Sequence, residues 1–192
     1  MKYYAIKDDN QSEIVTSWEE CQEALKKYAS PKYKSFTSKE EALAFINGVL
    51  LDDGIKMPKA YIDGSFDEKT NSYSFGGILI IDNKEYVFKK KYENDTYSDL
   101  RNVAGEIKGA GFIINYCIKL GIKELHIFYD YLGIEAWYNE VWKANSSIAV
   151  EYQKFAKEAK TKIHVIFHKV KSHTNNHYNE MADKLAKEAL GL

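Results

Sequence analysis

The sequence predicts an α/β protein in two parts: a mixed five-stranded sheet flanked by helices, preceded by a small three-stranded module of ββαβα type. Three observations carry this. From residue 59 onward the segments run βββ-α-β-α-α-β-α, an antiparallel meander followed by strand–helix alternation. The first 47 residues hold three short strand patterns and two helix patterns, a separate and very small unit. Between them, residues 48–58 (Gly-Val-Leu-Leu-Asp-Asp-Gly-Ile-Lys-Met-Pro) carry two glycines, two acids and a proline, which reads as a linker. The expected division is therefore 1–47, 48–58 and 59–192.

The first module opens with a strand, Lys2 to Lys7, a polar turn, and a second strand, Glu13 to Val15. Ser17 is placed to cap a helix running to Tyr28, with Glu20 three residues on completing a capping box. A turn at Ser30 and Pro31 leads to a strand at Tyr33 to Phe36. Ser38 then caps a second helix whose Ala42, Leu43 and Phe45 share a face. In the larger part, strands are expected at Ala60–Gly64, Ser72–Ile81 and Lys84–Lys91, with Asp82-Asn83 as the hairpin turn between the last two. Helices follow at Asn102–Leu120, Leu132–Trp142, Ile148–Lys160 and Tyr178–Leu190, with strands at Glu124–Tyr129 and Lys162–Lys169.

Composition narrows the class. With 45% hydrophobic residues over 192 positions the chain is globular, and no apolar run approaches a bilayer span. The N-terminus lacks the apolar stretch of a secretory signal, so a cytosolic address and no membrane partner are expected. Cys21 and Cys117 fit no metal spacing and read as buried free thiols. A net charge of −1 argues only weakly against a polyanionic partner, because phosphate affinity depends on local lysine placement.

Four acids stand out. Asp63 interrupts the strand Ala-Tyr-Ile-Asp-Gly-Ser, where aspartate has poor β-propensity; it is either functional or a turn acid closing the strand. Asp130 follows the apolar strand 124–129 at its carboxyl end, where α/β sheets bind ligands, although a helix N-cap explains it equally well. Glu106 lies early in a helix, which the helix dipole alone accounts for. Asp183 borders the apolar stripe of the last helix, and its bland reading is a solvated acid. Brought together, the four would repel unless cations neutralised them. Hard oxygen donors without Cys or His suit two Mg²⁺ ions, or Mn²⁺, in phosphodiester cleavage. His173 sits in a polar segment before the last helix and is either a proton relay or an inert surface imidazole.

These pieces, Tyr61-Ile62-Asp63-Gly64-Ser65, Asn102-Val103-Ala104-Gly105-Glu106, Phe128-Tyr129-Asp130, Lys171-Ser172-His173 and Asn179-Glu180-Met181-Ala182-Asp183, resemble in order and spacing the bacterial type-one ribonuclease H family. The resemblance implies the ribonuclease-H-like fold. It also implies endonucleolytic hydrolysis of the RNA strand of RNA/DNA hybrids, leaving 5′-phosphate and 3′-hydroxyl ends. Asp63, Glu106, Asp130 and Asp183 would bind two metals and His173 would assist turnover. Asn102 would read the minor groove, and the Gly64 and Ser65 backbone the RNA 2′-hydroxyls. Arg101 stands where the family often has a threonine contacting DNA phosphate, Val103 replaces a polar groove reader, and Tyr131 follows Asp130 where serine is common. Residues 140–145 run into the next helix without the extra basic helix some members use as a handle.

The first module resembles the small hybrid-binding, caulimovirus-VI-like domain through Tyr3-Tyr4-Ala5, Trp18-Glu19-Glu20-Cys21, Tyr33-Lys34-Ser35-Phe36 and Glu41-Ala42-Leu43-Ala44-Phe45. That likeness implies that Trp18 and Tyr33 stack on sugar or base faces while Lys34 holds a phosphate, the alternative being that both aromatics fill a small core. Double-stranded RNA is a second expected ligand of this module. A monomer is expected. The competing readings are a catalytically weak hybrid-binding protein and a related nuclease acting on another duplex.

Overall fold

The computed structural model describes residues 2–8, 10–47, 57–170 and 177–192. The chain falls into two compact units, Met1–Gly54 and Ile55–Leu192. Among the described residues no helix is long and apolar enough to cross a membrane.

In the smaller unit, β1 (Tyr3–Lys7) is the central strand of a three-stranded antiparallel sheet, flanked by β2 (Ser12–Val15) and β3 (Lys32–Phe36). Helix α1 spans Trp18–Leu25 and α2 spans Lys39–Asn47. The capping box forms as the sequence requires: Glu20 N donates to Ser17 Oγ at 3.1 Å, and Ser17 N donates to Glu20 Oε2 at 3.1 Å. The helix stops at Leu25, short of the expected Tyr28, whose hydroxyl donates instead to Glu13 on β2 at 3.2 Å. Among the described residues Ile6, Cys21 and Ala24 form a buried cluster in this unit, with Ala5 and Ala42 also buried. On α2, Ala42 is buried while Leu43 points to solvent, which corrects the expected shared face: neighbours along a helix are about 100° apart.

The larger unit is built on a five-stranded sheet in the order β6-β5-β4-β7-β8, from β4 (Lys59–Asp67), β5 (Ser72–Ile81), β6 (Lys84–Tyr92), β7 (Glu124–Tyr129) and β8 (His164–Lys169). The first three pair antiparallel, and β7 joins β4 and β8 in parallel. Asp82 and Asn83 both adopt positive φ, 49° and 61°, as a two-residue hairpin turn demands. Helices α3 (Asn102–Lys119), α4 (Gly133–Tyr138) and α5 (Ser147–Lys160) cover one face, over a core that includes Ile62, Leu79, Ile113, Ile127 and Tyr129. Helix α6 (His177–Leu190) packs on β4, β5 and β6 from the other face, over Tyr61, Ile78, Ile80, Tyr178 and Ala182. Both cysteines are buried and free.

Two expected boundaries change. Helix α4 ends at Tyr138 rather than Trp142, because Glu140 turns to φ 60° and the amides of Val141 and Trp142 fold back onto the Ala136 carbonyl. Strand β4 continues to Asp67, so Asp63 lies inside a strand and closes no turn. Most of the expected linker, 48–56, lies outside the described residues.

Candidate active site

The parallel ladder between β4 and β7 is short. It pairs Lys59 with His126, Ala60 with Ile127 and Tyr61 with Phe128. Asp63 and Asp130 each lie two residues past its last pair, where the two strands are no longer hydrogen-bonded to each other. This is the crevice that opens at the carboxyl ends of strands in α/β sheets. Asp130 does not cap α4, whose N-cap position is Leu132 with no side-chain bond.

Glu106 reaches the same crevice from α3 through contacts that tolerate no side chain. A Cβ on Gly64 would stand 2.2 Å from the Asn102 carbonyl oxygen, and one on Gly105 would stand 1.9 Å from that of Ser74. The helix backbone therefore rests directly on β4 and β5, which sets Glu106 beside Asp63. Ligand oxygens of Asp63, Glu106 and Asp130 all lie within 4.8 Å of one another.

The electrostatics are those of crowded acids, with the Lys187 charge only partly opposing the repulsion at Asp63. Glu106 is only 3% exposed, and its Oε2 is buried with no hydrogen-bond partner. Its Oε1 accepts from Asn102 Nδ2 at 3.2 Å. Burial, followed by the charges of Asp130 and Asp63, pushes Glu106 up to about 9. Burial and then the Asp130 charge push Asp63 up to about 7, against the Gly64 amide that donates to its Oδ1 at 2.7 Å. A buried carboxylate oxygen without a donor, beside two more carboxylates and no thiolate or imidazole, fits a hard divalent cation.

Asp183 stands outside this group of three. It lies on α6, which is pressed onto β5 at Gly76 and fixed by Ser74 Oγ donating to the Ala186 carbonyl at 2.6 Å. Its charge reaches Asp63, yet its Oδ2 holds Lys187 Nζ at 2.7 Å, one helical turn on. Lys187 was not singled out by the sequence; its i,i+4 spacing from Asp183 is the signal that finds it.

The remaining sequence candidates separate. Ser65 is 8% exposed. Arg101 adopts φ 53°, ψ −131°, its guanidinium 3.2 Å from Glu68 Oε1 and 5.7 Å from the centre of the Phe66 ring. Phe66, Glu68, Asn71, Ser98, Asp99 and Arg101 line an open groove. Tyr131, beside the acids, is raised by its own burial and by the Glu106 charge, and packs on Trp137 at 5.8 Å. His173, with Lys171 and Ser172, lies outside the described residues. In the smaller unit Trp18 and Tyr33 stay 39% and 47% exposed, outside the buried core, with ring centres 5.8 Å apart; Tyr4 adds a third ring 5.7 Å from Trp18. Lys34 is half-buried, its Nζ 5.5 Å from the centre of the Phe36 ring.

The fold and both units have known relatives. Residues 2–46 match the ribonuclease H1 N-terminal domain, and residues 61–189, more than half of the chain, match the reverse transcriptase-like family. RNase H1 from the halophilic archaeon Halobacterium salinarum NRC-1 has a similar fold (TM-score 0.58, 20% identity), matching 70% of this chain and 98% of its own. So does LC11-RNase H1 in complex with RNA/DNA hybrid, with TM-score 0.52 and 13% identity over 69% of this chain and 99% of its own. An N-terminal RNase H domain from Mycobacterium tuberculosis, fused to maltose-binding protein, matches at TM-score 0.53 and 15% identity over 69% of this chain and 96% of its own. The chain belongs to the reverse transcriptase-like family and, with a ribonuclease H1 N-terminal domain ahead of a ribonuclease H fold, is a ribonuclease H enzyme.

Proposed function

We propose that this enzyme hydrolyses the RNA strand of RNA/DNA hybrids with two divalent cations, Mg²⁺ or Mn²⁺, leaving 5′-phosphate and 3′-hydroxyl ends. The observation that carries this reading is the group formed by Asp63, Glu106 and Asp130, three carboxylates within 4.8 Å of one another in a crevice. Those three and Asp183 would hold the cations, which supply Lewis acidity toward water and the scissile phosphate when bound. Asp63 and Glu106, held near neutral by burial, give up their protons to receive them. Asn102 keeps Glu106 Oε1 in place by its 3.2 Å hydrogen bond. The Gly64 and Ser65 backbone beside the acids serves to recognise ribose 2′-hydroxyls, the feature that separates RNA from DNA. Arg101 holds a phosphate of the partner strand, and His173 assists product release.

The smaller unit, taken as residues 1–47 joined through 48–58 to the catalytic domain 59–192, holds the hybrid through Trp18, Tyr33 and Lys34. Exposed rings offer stacking that is tolerant of sequence. Double-stranded RNA is a second ligand of the same surface, and the enzyme acts as a cytosolic monomer.

A cleavage assay on end-labelled hybrid, RNA duplex and DNA duplex tests the reading. The hybrid's RNA strand is cut only when Mg²⁺ or Mn²⁺ is present, and Asp63→Asn and Asp130→Asn each lower the rate by roughly a thousandfold or more. Equal cutting of all three duplexes, or activity that survives chelation, would overturn it.

A further inference from the structure

Arg101 is held in a backbone conformation that an arginine does not adopt freely. Its φ of 53° and ψ of −131° lie outside the left-handed helical well that Asn and Asp tolerate, in a region open at little cost to glycine alone. Strain of this kind persists only where the surroundings over-determine it, and it gathers at ligand clamps.

The over-determination is visible in the hydrogen bonds. Arg101 N donates to the Ser98 carbonyl at 2.9 Å, and the Arg101 carbonyl accepts from Ala104 N at 3.2 Å, so the chain is pinned on both sides of the strained residue. Ser98 opens the 3₁₀ turn Ser98–Leu100 and is buried at 1% exposure. Its Oγ accepts from Asp95 N at 3.0 Å, while its own N donates to the Asp95 carbonyl at 3.2 Å. Asp95 receives Tyr97 N on Oδ1 at 2.8 Å and the Tyr73 hydroxyl on Oδ2 at 2.9 Å. Tyr73 is fully buried on β5 and stacks on Tyr92, with ring centres 4.9 Å apart. Burial, followed by the bond to Asp95, raises its phenol, which stays a donor across the physiological range. A line of bonds thus runs from the sheet interior to the arginine.

The side chain shows what the strain is for. The guanidinium lies 5.7 Å from the centre of the Phe66 ring and 3.2 Å from Glu68 Oε1, at the open groove that Asn71 and Asp99 also line. The two side chains of the Glu68 pair are 64% and 75% exposed, and such a pair contributes less than a strained arginine costs. The pair is therefore not the reason for the strain. A planar fork fixed beside an aromatic ring is pre-aimed at a phosphate, and it gives up less freedom on binding than a loose arginine would.

We propose that Tyr73, Asp95 and Ser98 are positioning residues, whose hydrogen bonds hold Arg101 strained so that its guanidinium meets a phosphate of the DNA strand in place of Glu68. This role rests on the hybrid-cleaving reading of the enzyme.

Steady-state cleavage of hybrid at several salt concentrations, together with melting curves, tests it. Tyr73→Phe removes one hydroxyl and keeps the buried ring; it raises KM roughly three- to tenfold and leaves kcat within about twofold. Arg101→Ala raises KM roughly tenfold and lowers the slope of log KM against log salt by about one. Tyr73→Phe added to Arg101→Ala raises KM no further. Arg101→Gly loses the same guanidinium yet melts above Arg101→Ala, because only glycine relieves the backbone. A KM indifferent to Arg101→Ala overturns the phosphate contact and the positioning role together. A KM that answers to Arg101→Ala but not to Tyr73→Phe, effects of the two that add, or Arg101→Gly melting below Arg101→Ala overturns the positioning role alone. The comparison of the two Arg101 variants decides the strain even if Tyr73→Phe is poorly folded.

Discussion

The two units depart from ordinary burial in opposite directions. The smaller one leaves Trp18 and Tyr33 partly in solvent beside a core of a few side chains among the described residues; the larger one buries the ionisable Glu106 at 3% exposure in a well-filled interior. Apolar surface left wet forgoes about 25 cal/mol per Å², and a carboxylate taken out of water raises its own pKa. Neither choice is what folding alone favours, and under the proposed function each is met by something outside the chain: a sugar or base ring in the first case, a cation in the second. The stability of the two units should therefore respond to different ligands.

The sharpest way to break that contrast is to remove the buried ionisable group. Glu106→Gln should abolish hybrid cleavage while making the metal-free protein more stable at neutral pH, by about 1–3 kcal/mol, because the unfolded chain no longer gains by releasing that proton. Calorimetry in chelator, alongside the cleavage assay, reads both; a loss of stability would mean that Glu106 is well satisfied where it lies. Next in size, Trp18→Ala combined with Tyr33→Ala should weaken binding to uncleavable hybrid by roughly ten- to a hundredfold, with little change in melting temperature. A large drop in melting temperature instead would return those rings to the core.

The pH dependence follows from the same acids. In the unfolded chain both carboxyls titrate near their ordinary value of about 4, whereas folding lifts Asp63 to about 7 and Glu106 to about 9. Above pH 4 the unfolded chain releases protons that the fold retains. Metal-free stability thus falls as pH rises, with the Asp63 contribution levelling off near 7 and that of Glu106 near 9. Saturating Mg²⁺ should remove or reverse the slope. Melting curves from pH 5 to 9, with and without the ion, measure this; a flat curve in chelator would show that the acids do not crowd one another. Smallest of all, Lys187→Met should tighten Mn²⁺ binding by about three- to tenfold, since the ion no longer competes with a lysine for Asp183. Lys184→Met, on the same helix but paired with Glu188, serves as the control.

Much of this was legible before any coordinates, for a physical reason. Caps, two-residue turns and strand alternation are local chemistry: Ser17 with Glu20, and Asp82 with Asn83, specify their geometry within four residues. Of the acids, Asp63 was legible as a misfit, since a strand interior gives aspartate no reason to be there, whereas Asp130, Glu106 and Asp183 each had an ordinary local explanation. Their meeting was not legible, because it depends on where the β4–β7 ladder ends and on how closely α3 approaches β4. The premature end of α4 was hidden for a related reason, since Glu140 carries no local signal for positive φ. Of the acids, Asp183 was the one whose bland reading described its surroundings best, half-exposed beside Lys187.

The bond from Ser74 to the Ala186 carbonyl spans 112 residues, and the carbonyl of Ala182 rests where a side chain on Gly76 would have to go. Such a seam closes only after the intervening strands have found their order, so searching for it is slow and gains nothing until late. Until α6 docks, Tyr61 and Ile78 keep a greasy flank open to water. Asp183, carried by that helix, comes within electrostatic reach of Asp63 in the same event that seals the flank. Bringing that charge toward the three acids and completing the hydrophobic interior are in this way coupled, and a half-made molecule has neither.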